Sequence, residues 1–564
     1  MRALLPSLLL LALFFLLSGA GHPAAAQGEG WLAASRRTER QADIWVMPAS
    51  GGAWQRLTRT PDDERWPAWH PDGSSLAYAA HRERNWDIYT LDLRTGEERR
   101  LTTNPHFEGW PAWSPDGTRL AFTSAREGEL DIFLLDLESG EETNLTLASA
   151  AQDFEPRWED DDTLLFVCTR DDSHDIFRLD LRSGEATPLL TTEERHERQP
   201  MPFPAGASGA DVLVVAKGER YTHLAPLEVG DDEGDSVLSW AGAVTSAALA
   251  PGGETVTWLE RRLDGDVLYR RSVEGGETRI LNGPTPRVDD LAWGLPNEAL
   301  LRRRVQPDAP AALPTPPGST PGGLVRVNNL DVNQPRLNGS VLPSFEAMRG
   351  RVVGEVGFDF LGEMSEALRP LDFYSENSDY LSWHKAGRAM DTLLDLGWRG
   401  YYQLLEVVRE DWHGDVYWRM WLRCPVQDGT CGEPLIDAAW DLSQYARWER
   451  APGEGGAPKA FQAGYYVDFT RIAEDEGWMR ISSYESPTFD WRTDTVALEY
   501  WHYQRDDGLS WYEAMQEVYS QDDLNLYFGW ADLMEQEIPL WQLRVKGLPL
   551  PPEVRTPPAE LVIP

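Results

Sequence analysis

Of the ten histidines in this chain, His384, His413 and His502 fall between residues 324 and 546, and two of them lie beside acids in patterns that suit metal chemistry. The first pattern runs Ser382-Trp383-His384-Lys385-Ala386-Gly387-Arg388-Ala389-Met390-Asp391. A His and an Asp seven residues apart point opposite ways on a straight strand, so Gly387 and the small Ala389 supply the bend that would aim both at one point. The second pattern is Glu499-Tyr500-Trp501-His502, where an acid three residues before a His shares its site if the backbone is helical or bulged. Together His384, Asp391 and His502 make a three-ligand N/O set with an open fourth position, the arrangement of a catalytic zinc. Water in that position would give up a proton more readily, and Glu499 is the general base that takes it and returns it to a leaving amine. His413, in Glu410-Asp411-Trp412-His413-Gly414-Asp415, reads as an exposed turn residue.

The segment that must position these groups, 324–546, mixes helical pattern (part of Gly387 to Leu396, and Tyr465 to Glu476) with strand-like runs such as Val416 to Leu422. That is α+β composition. Of three cysteines, Cys424 and Cys431 bracket an Asp-Gly turn and lie close enough in sequence to form a disulfide, or to stay as two buried thiols. Residues 306–323 are rich in Pro and Gly and read as an inter-domain linker, and 547–564 as a Pro-rich tail.

The first half, 27–305, is governed by a fixed period. Asp43-Ile44-Trp45, Asp87-Ile88-Tyr89, Asp131-Ile132-Phe133 and Asp175-Ile176-Phe177 recur every 44 residues, and Leu57, Leu101, Leu145 and Leu189 keep the same step. Pro67-Ala68-Trp69-His70-Pro71-Asp72-Gly73 is echoed by Pro111-Ala112-Trp113-Ser114-Pro115-Asp116-Gly117, while the copy between Asp175 and Asp266 has lost its markers. Short alternating strands separated by Pro-Asp-Gly and Thr-Gly-Glu turns at this period describe a β-propeller with room for six blades. The repeated aromatics read as blade packing. These motifs resemble the six-bladed propeller of TolB and its relatives, which implies a platform for an envelope protein partner and carries no catalytic residue.

In the second half, Ser382, His384, Gly387, Ala389 and Asp391 match all five fixed positions of the S-x-H-x-x-G-x-A-x-D motif, and Glu499, Trp501 and His502 match E-x-W-H. At these residues the chain resembles the zinc D-alanyl-D-alanine carboxypeptidases and dipeptidases of the VanY and VanX type, which share a fold with the Hedgehog signalling domain. The resemblance implies zinc on His384, Asp391 and His502, Glu499 as the catalytic base, and a peptide or peptidoglycan-type substrate held by Ser382, Trp501 and Arg388. The family commonly has an Arg in a Tyr-Arg-Ser element, whereas Phe373-Tyr374-Ser375-Glu376 offers none, leaving Arg369 or Arg388 to take that role. The 108-residue step from Asp391 to Glu499 is also long for the family and reads as an insertion. The alternative is a non-catalytic, TolB-like envelope binding protein whose second domain only retains a metal site.

The chain has 564 residues and a net charge of −40, which excludes nucleic acid as a partner, since binding phosphates requires clustered cations. Residues 1–26 combine Arg2, a short apolar run and Ala24-Ala25-Ala26, the pattern of a signal peptide cleaved after Ala26. A secreted or periplasmic protein with no membrane span after cleavage is expected, and no Cys near the cleavage site suits lipid attachment. The acidic run Glu159-Asp160-Asp161-Asp162 reads as a solvated propeller loop.

Overall fold

The computed structural model describes residues 29–307 and 323–550 apart from short internal segments, the longest being 228–242 and 394–403. The signal sequence, most of the linker (308–322), His413, residues 374–379 and the tail from 551 lie outside the described residues.

Among the described residues, the first half forms six antiparallel sheets. Their innermost strands are Asp63–Trp69, Glu108–Trp113, Asp153–Asp160, His196–Pro202, Ala243–Leu249 and Val288–Gly294, and each touches the next until the ring closes. Closure is made by Trp31–Thr38, which pairs with Val288–Gly294 so that the N-terminal strands complete the last blade. Gln306–Pro307 adds an outer edge to that blade, so the propeller takes the first two residues of the expected linker. The blade without markers is His196–Pro202, Val212–Lys217 and Thr222–Leu227.

The repeated residues hold each blade together. Asp43, Asp87 and Asp131 are buried on the third strand of their blades and accept from a residue thirteen ahead on the fourth, Arg56 at 2.6 Å, Arg100 at 2.7 Å and Asn144 at 2.9 Å. Beside each pair the hydroxyl of Thr58, Thr102 or Thr146 accepts from the amide of Ile44, Ile88 or Ile132 at 2.8–3.0 Å. The indoles of Trp113 and Trp158 donate to the carbonyls of Ala68 and Ala112 in the preceding blade, at 3.2 and 3.0 Å. The Trp of the repeat thus tie one blade to its neighbour. The acidic run is only half loop: Glu159 and Asp160 end the strand Asp153–Asp160, and Asp161 and Asp162 form the turn after it, with Asp161 exposed.

Glu64 and Glu108 are fully buried near the start of their inner strands, each with one oxygen lacking a hydrogen-bond partner among the described residues. Burial pushes both carboxyls up to about 7. The folded chain therefore keeps protons that the unfolded chain releases near the ordinary value of 4.5. This contribution to stability is complete below that value and is lost as pH rises through about 7. Thermal melts should show a lower midpoint at pH 8 than at pH 5, and the Glu64→Gln/Glu108→Gln double variant should show a smaller drop. An equal drop in the double variant would mean that other groups set the slope.

The second half mixes helices with two main sheets. One has the order Ala389–Asp391, His502–Gln504, Met479–Arg480, and the other Leu405–Trp412, Asp415–Arg423, Tyr465–Asp468, Glu433–Pro434. The helical pattern expected near Gly387 is instead a turn through Gly387 and then a strand. Tyr465 to Glu476 divides: Tyr465–Asp468 pairs with Asp415–Arg423, and the helix Phe469–Asp475 begins where the Asp468 side chain accepts from the Arg471 amide. Its aromatic and β-branched start fits a pleated surface, and the Asp fits an N-cap. Four short C-terminal helices, from Trp511–Gln516 to Leu540–Val545, build a separate core that buries Leu548 and Leu550, so packing continues into the expected tail. No helix among the described residues is long and apolar enough to cross a membrane.

The two halves meet across the face of the propeller where its inner strands begin. Ion pairs cross the junction from Arg65 to Glu433 at 2.8 Å, Arg37 to Asp475 at 2.9 Å, and Arg198 to Asp437 at 3.3 Å. Cys424 and Cys431 are joined in a disulfide, closing a loop whose Gly429 has a φ of +83°. A Cβ there would lie 2.8 Å from the Cα of His106 on the propeller, so only glycine fits this approach.

Candidate metal centre

Strand pairing does half of the assembly. Asp391 ends the strand Ala389–Asp391, and its direct partner across the ladder is His502. His384 is brought back to them by the turn before that strand, where Gly387 has a φ of +65° and its carbonyl accepts from the Asn338 amide at 2.8 Å. A Cβ at Gly387 would sit 2.7 Å from that same amide nitrogen, so the bend expected from sequence depends on glycine in two ways.

The ligand atoms of His384, Asp391 and His502 all lie within 4.8 Å of one another, and all three residues are buried. Asp391 Oδ1 is 3.2 Å from His384 Nε2 and 2.9 Å from His502 Nδ1. The other nitrogen of each ring is held from outside: His384 Nδ1 donates to the Ala367 carbonyl at 3.0 Å, and His502 Nε2 donates to Gln504 Oε1 at 3.3 Å. Each imidazole therefore turns one nitrogen inward while a carbonyl fixes its tautomer, the outer-shell arrangement of metal-ligating histidines. No fourth His, Cys, Asp or Glu joins the group among the described residues. This N/O donor set fits zinc with a coordination position left over.

The electrostatics follow from that packing. Burial alone would lower the His384 pKa, but the Asp391 carboxylate and its hydrogen bond raise it above the ordinary value. Burial alone would raise the Asp391 pKa, but the two imidazoles hold it well below the usual carboxylate range.

Glu499 stands beside the cluster, outside it. Its φ of +59° is a strained value for a residue with a side chain, and its carbonyl accepts from the His502 amide at 3.1 Å, closing the turn between them. Its carboxylate makes no hydrogen bond or ion pair among the described residues. Burial pushes its pKa up to about 7, with the Asp391 charge adding to the rise and His502 and Arg369 opposing it. A carboxyl held near neutrality suits proton transfer in both directions.

The remaining expected residues divide. Ser382 is buried, and its Oγ accepts from Arg369 Nη1 and from the His384 amide, each at 3.3 Å. Arg369 is bound to both oxygens of Glu366, at 2.7 and 2.5 Å, and its charge acts on Asp391 and Glu499. Arg388 is engaged elsewhere. Although next to Gly387 in sequence, it is buried against Glu517 at 2.8 Å, Asp507 at 2.8 Å and Ser340 at 2.8 Å, so it braces the C-terminal helices, and Arg369 is the arginine at the centre. Trp501 is buried edge-on against Tyr500, and Met390 and Tyr503 are buried as well. Gln504 and Ala367 were not expected from sequence. Gln504 carries a faint signal, since it lies two residues beyond His502 on the same strand face. Ala367 acts through its carbonyl and carries none.

Known proteins resemble the chain over its first half. The family model of the TolB beta propeller domain (PD40) matches residues 66–297. Among solved structures, TolB from Acinetobacter baumannii is 23% identical, with 48% of this chain and 68% of that one covered and a TM-score of 0.43. A TolB from Agrobacterium tumefaciens is 18% identical over 44% of this chain and 80% of that one, with a TM-score of 0.26. A puromycin-hydrolysing peptidase of Mycobacterium tuberculosis is 18% identical over 48% and 45%, with a TM-score of 0.33. No curated protein matches the chain. Residues 66–297 therefore belong to a TolB-type β-propeller, and that match ends before the segment carrying His384, Asp391 and His502.

Proposed function

We propose that the chain is an exported zinc peptidase of the D-Ala-D-Ala carboxypeptidase type, acting on cell-wall peptides, with the propeller as the mount of its catalytic half. The reading is supported chiefly by one observation: two imidazoles and a carboxylate converge, each imidazole tethered at its far nitrogen, beside a carboxylate with no partner of its own. His384, Asp391 and His502 would hold the zinc, which when bound would polarise the scissile carbonyl and activate water. Glu499 accepts the proton from water and delivers it to the departing amine. Arg369, anchored by Glu366 and Ser382, supplies the positive charge that a free C-terminal carboxylate needs. Export rests on the signal pattern of residues 1–26. An envelope partner would use the propeller face away from the junction, because the second half covers the other.

The test is metal analysis of the purified chain beside a peptide-hydrolysis assay. One zinc per chain is expected in the native protein, with none retained by Asp391→Asn. Because the His384 pKa is raised without metal, protons compete with zinc, so affinity should weaken as pH falls. A chain that takes up no zinc at neutral pH would overturn the reading.

A further inference from the structure

The inner strand Asp153–Asp160 departs from its repeat at one position. Pro156-Arg157-Trp158 stands where the two preceding copies read Pro67-Ala68-Trp69 and Pro111-Ala112-Trp113. The matching residues of the last two inner strands are Ala248 and Ala292, so a long cation replaces a methyl group in one blade alone. Just before this position the strands bulge. Trp66, Trp110, Glu155, Gln199 and Asp290 all have φ between +50° and +57°, and the pairing register shifts beside the first four. Such bulges re-aim side chains, here toward the propeller axis.

A narrow cavity of about 20 Å3 lies on that axis, lined by residues of all six inner strands with Arg157 among them. Trp66, Trp110, Gln199 and Asp290 also line the wider cavity of about 230 Å3 at the junction, so the two adjoin. The neutral polar side chains on the narrow cavity have hydrogens to give. Gln199 Oε1 accepts from the Ala247 amide at 3.0 Å and Ser246 Oγ from the Leu291 amide at 2.9 Å, leaving the N–H of one and the O–H of the other unspent among the described residues.

The two acids of the lining are already matched. Glu155 is held by Arg198 at 2.5 Å and by the Gln199 amide at 2.8 Å, and Asp290 by Arg65 at 3.2 Å and the Ser35 hydroxyl at 2.9 Å. Arg157 is not. Among the described residues its guanidinium makes no hydrogen bond or ion pair, although Glu155 and Asp290 are near enough for their charges to act on it. Burial lowers its pKa against their pull, so the cation stands where water solvates it poorly. A charge in that position is costly to the fold unless something neutralises it.

We propose that the propeller axis is a site for one small inorganic anion of chloride size, held by the Arg157 guanidinium with Gln199 and Ser246 donating beside it. The cavity has room for an ion and none for a peptide. A cation would face Arg157, and a doubly charged oxyanion needs more space. The ion would join three successive blades across the axis, so its effect falls on the stability of the propeller, and the site stands apart from the peptidase reading.

The test melts the full chain in sodium chloride and in sodium gluconate at equal ionic strength, which separates ion binding from screening. The midpoint should be higher in chloride by roughly 2–4 °C, as for a ligand present at several times its Kd. Arg157→Met should lose that difference. Arg94→Met, which alters an exposed turn of the propeller, should keep it. Crystals grown in bromide should show an anomalous peak beside Arg157 in the native chain and none there in Arg157→Met. No shift in the native chain, an equal shift in Arg157→Met, or loss of the shift in Arg94→Met as well would each overturn the proposal. So would bromide peaks elsewhere with none beside Arg157, an outcome that holds even if Arg157→Met fails to fold.

Discussion

Glu499→Gln should lower peptide hydrolysis by about 10²- to 10⁴-fold, the range removed when a general acid–base group is lost. Gln keeps the shape of the side chain and lacks the site that accepts a proton, so the loss should fall on kcat with KM little changed. Glu499 is not one of the three grouped ligand residues, so zinc content should stay at the native level. That combination separates proton transfer from metal binding, because Asp391→Asn removes both activity and metal. The pH profile adds a check. With a carboxyl pushed up to about 7, the base is ionised in a growing fraction of molecules as pH rises through that value, so kcat/KM should climb there, and the climb should be absent from the residual activity of Glu499→Gln. Full activity in Glu499→Gln would end its role as the base.

The largest stability effect is expected at the junction. Arg65 is placed between Asp290 at 3.2 Å and Glu433 at 2.8 Å, with its guanidinium 4.5 Å from the ring centre of Trp66. Arg65→Met fills much of the same volume and takes the cation from Asp290, while Glu433 keeps only the more distant Arg471 at 3.8 Å; removing one partner of a buried pair costs about 3 to 5 kcal/mol. The deficit should depend on pH in a defined sense. Burial already raises the Asp290 pKa, and removing Arg65 raises it further, so the folded variant holds a proton that the unfolded chain gives up. Stability from that proton is present at low pH and lost as pH rises, so the deficit should be smallest in acid and grow toward neutrality. Denaturant midpoints at pH 5 and pH 8 would measure this, and proteolysis within 308–322 would report whether the halves have separated. Arg65→Lys, which keeps the charge and loses the fork, should fall between the two. A midpoint for Arg65→Met within experimental error of the native one would mean that the junction is held by its apolar contacts and its remaining ion pairs.

The propeller was open to reading because its instructions are local and repeated. An Asp on the third strand, its partner thirteen residues on and a Thr hydroxyl two residues beyond that partner lock each hairpin within one repeat, so a 44-residue period in sequence becomes a blade in space. Even there the marker-free copy, His196 to Leu227, forms its blade without those residues, held by the blades on either side. In the second half the local signals were weaker. Tyr465-Tyr466-Val467 lies in a segment with helical pattern, and its pairing with Asp415–Arg423 turns it into a strand.

The sequence by itself determined the residue types of the candidate centre and the bend that joins the first two, because Gly387 and the spacing from Glu499 to His502 act over a single turn. It also determined the propeller, through short-range pairs that need no distant partner. Only the tertiary structure decided which arginine serves the centre. Arg388, within the motif, is drawn away by Glu517 and Asp507 more than a hundred residues later, while Arg369, outside it, is positioned by Glu366 and Ser382. Only the tertiary structure showed Gln504 and the Ala367 carbonyl fixing the two imidazoles, and the second half seated on the propeller. These depend on contacts between distant segments, and the direction of a buried side chain follows from what surrounds it in space, which spacing along the chain does not encode.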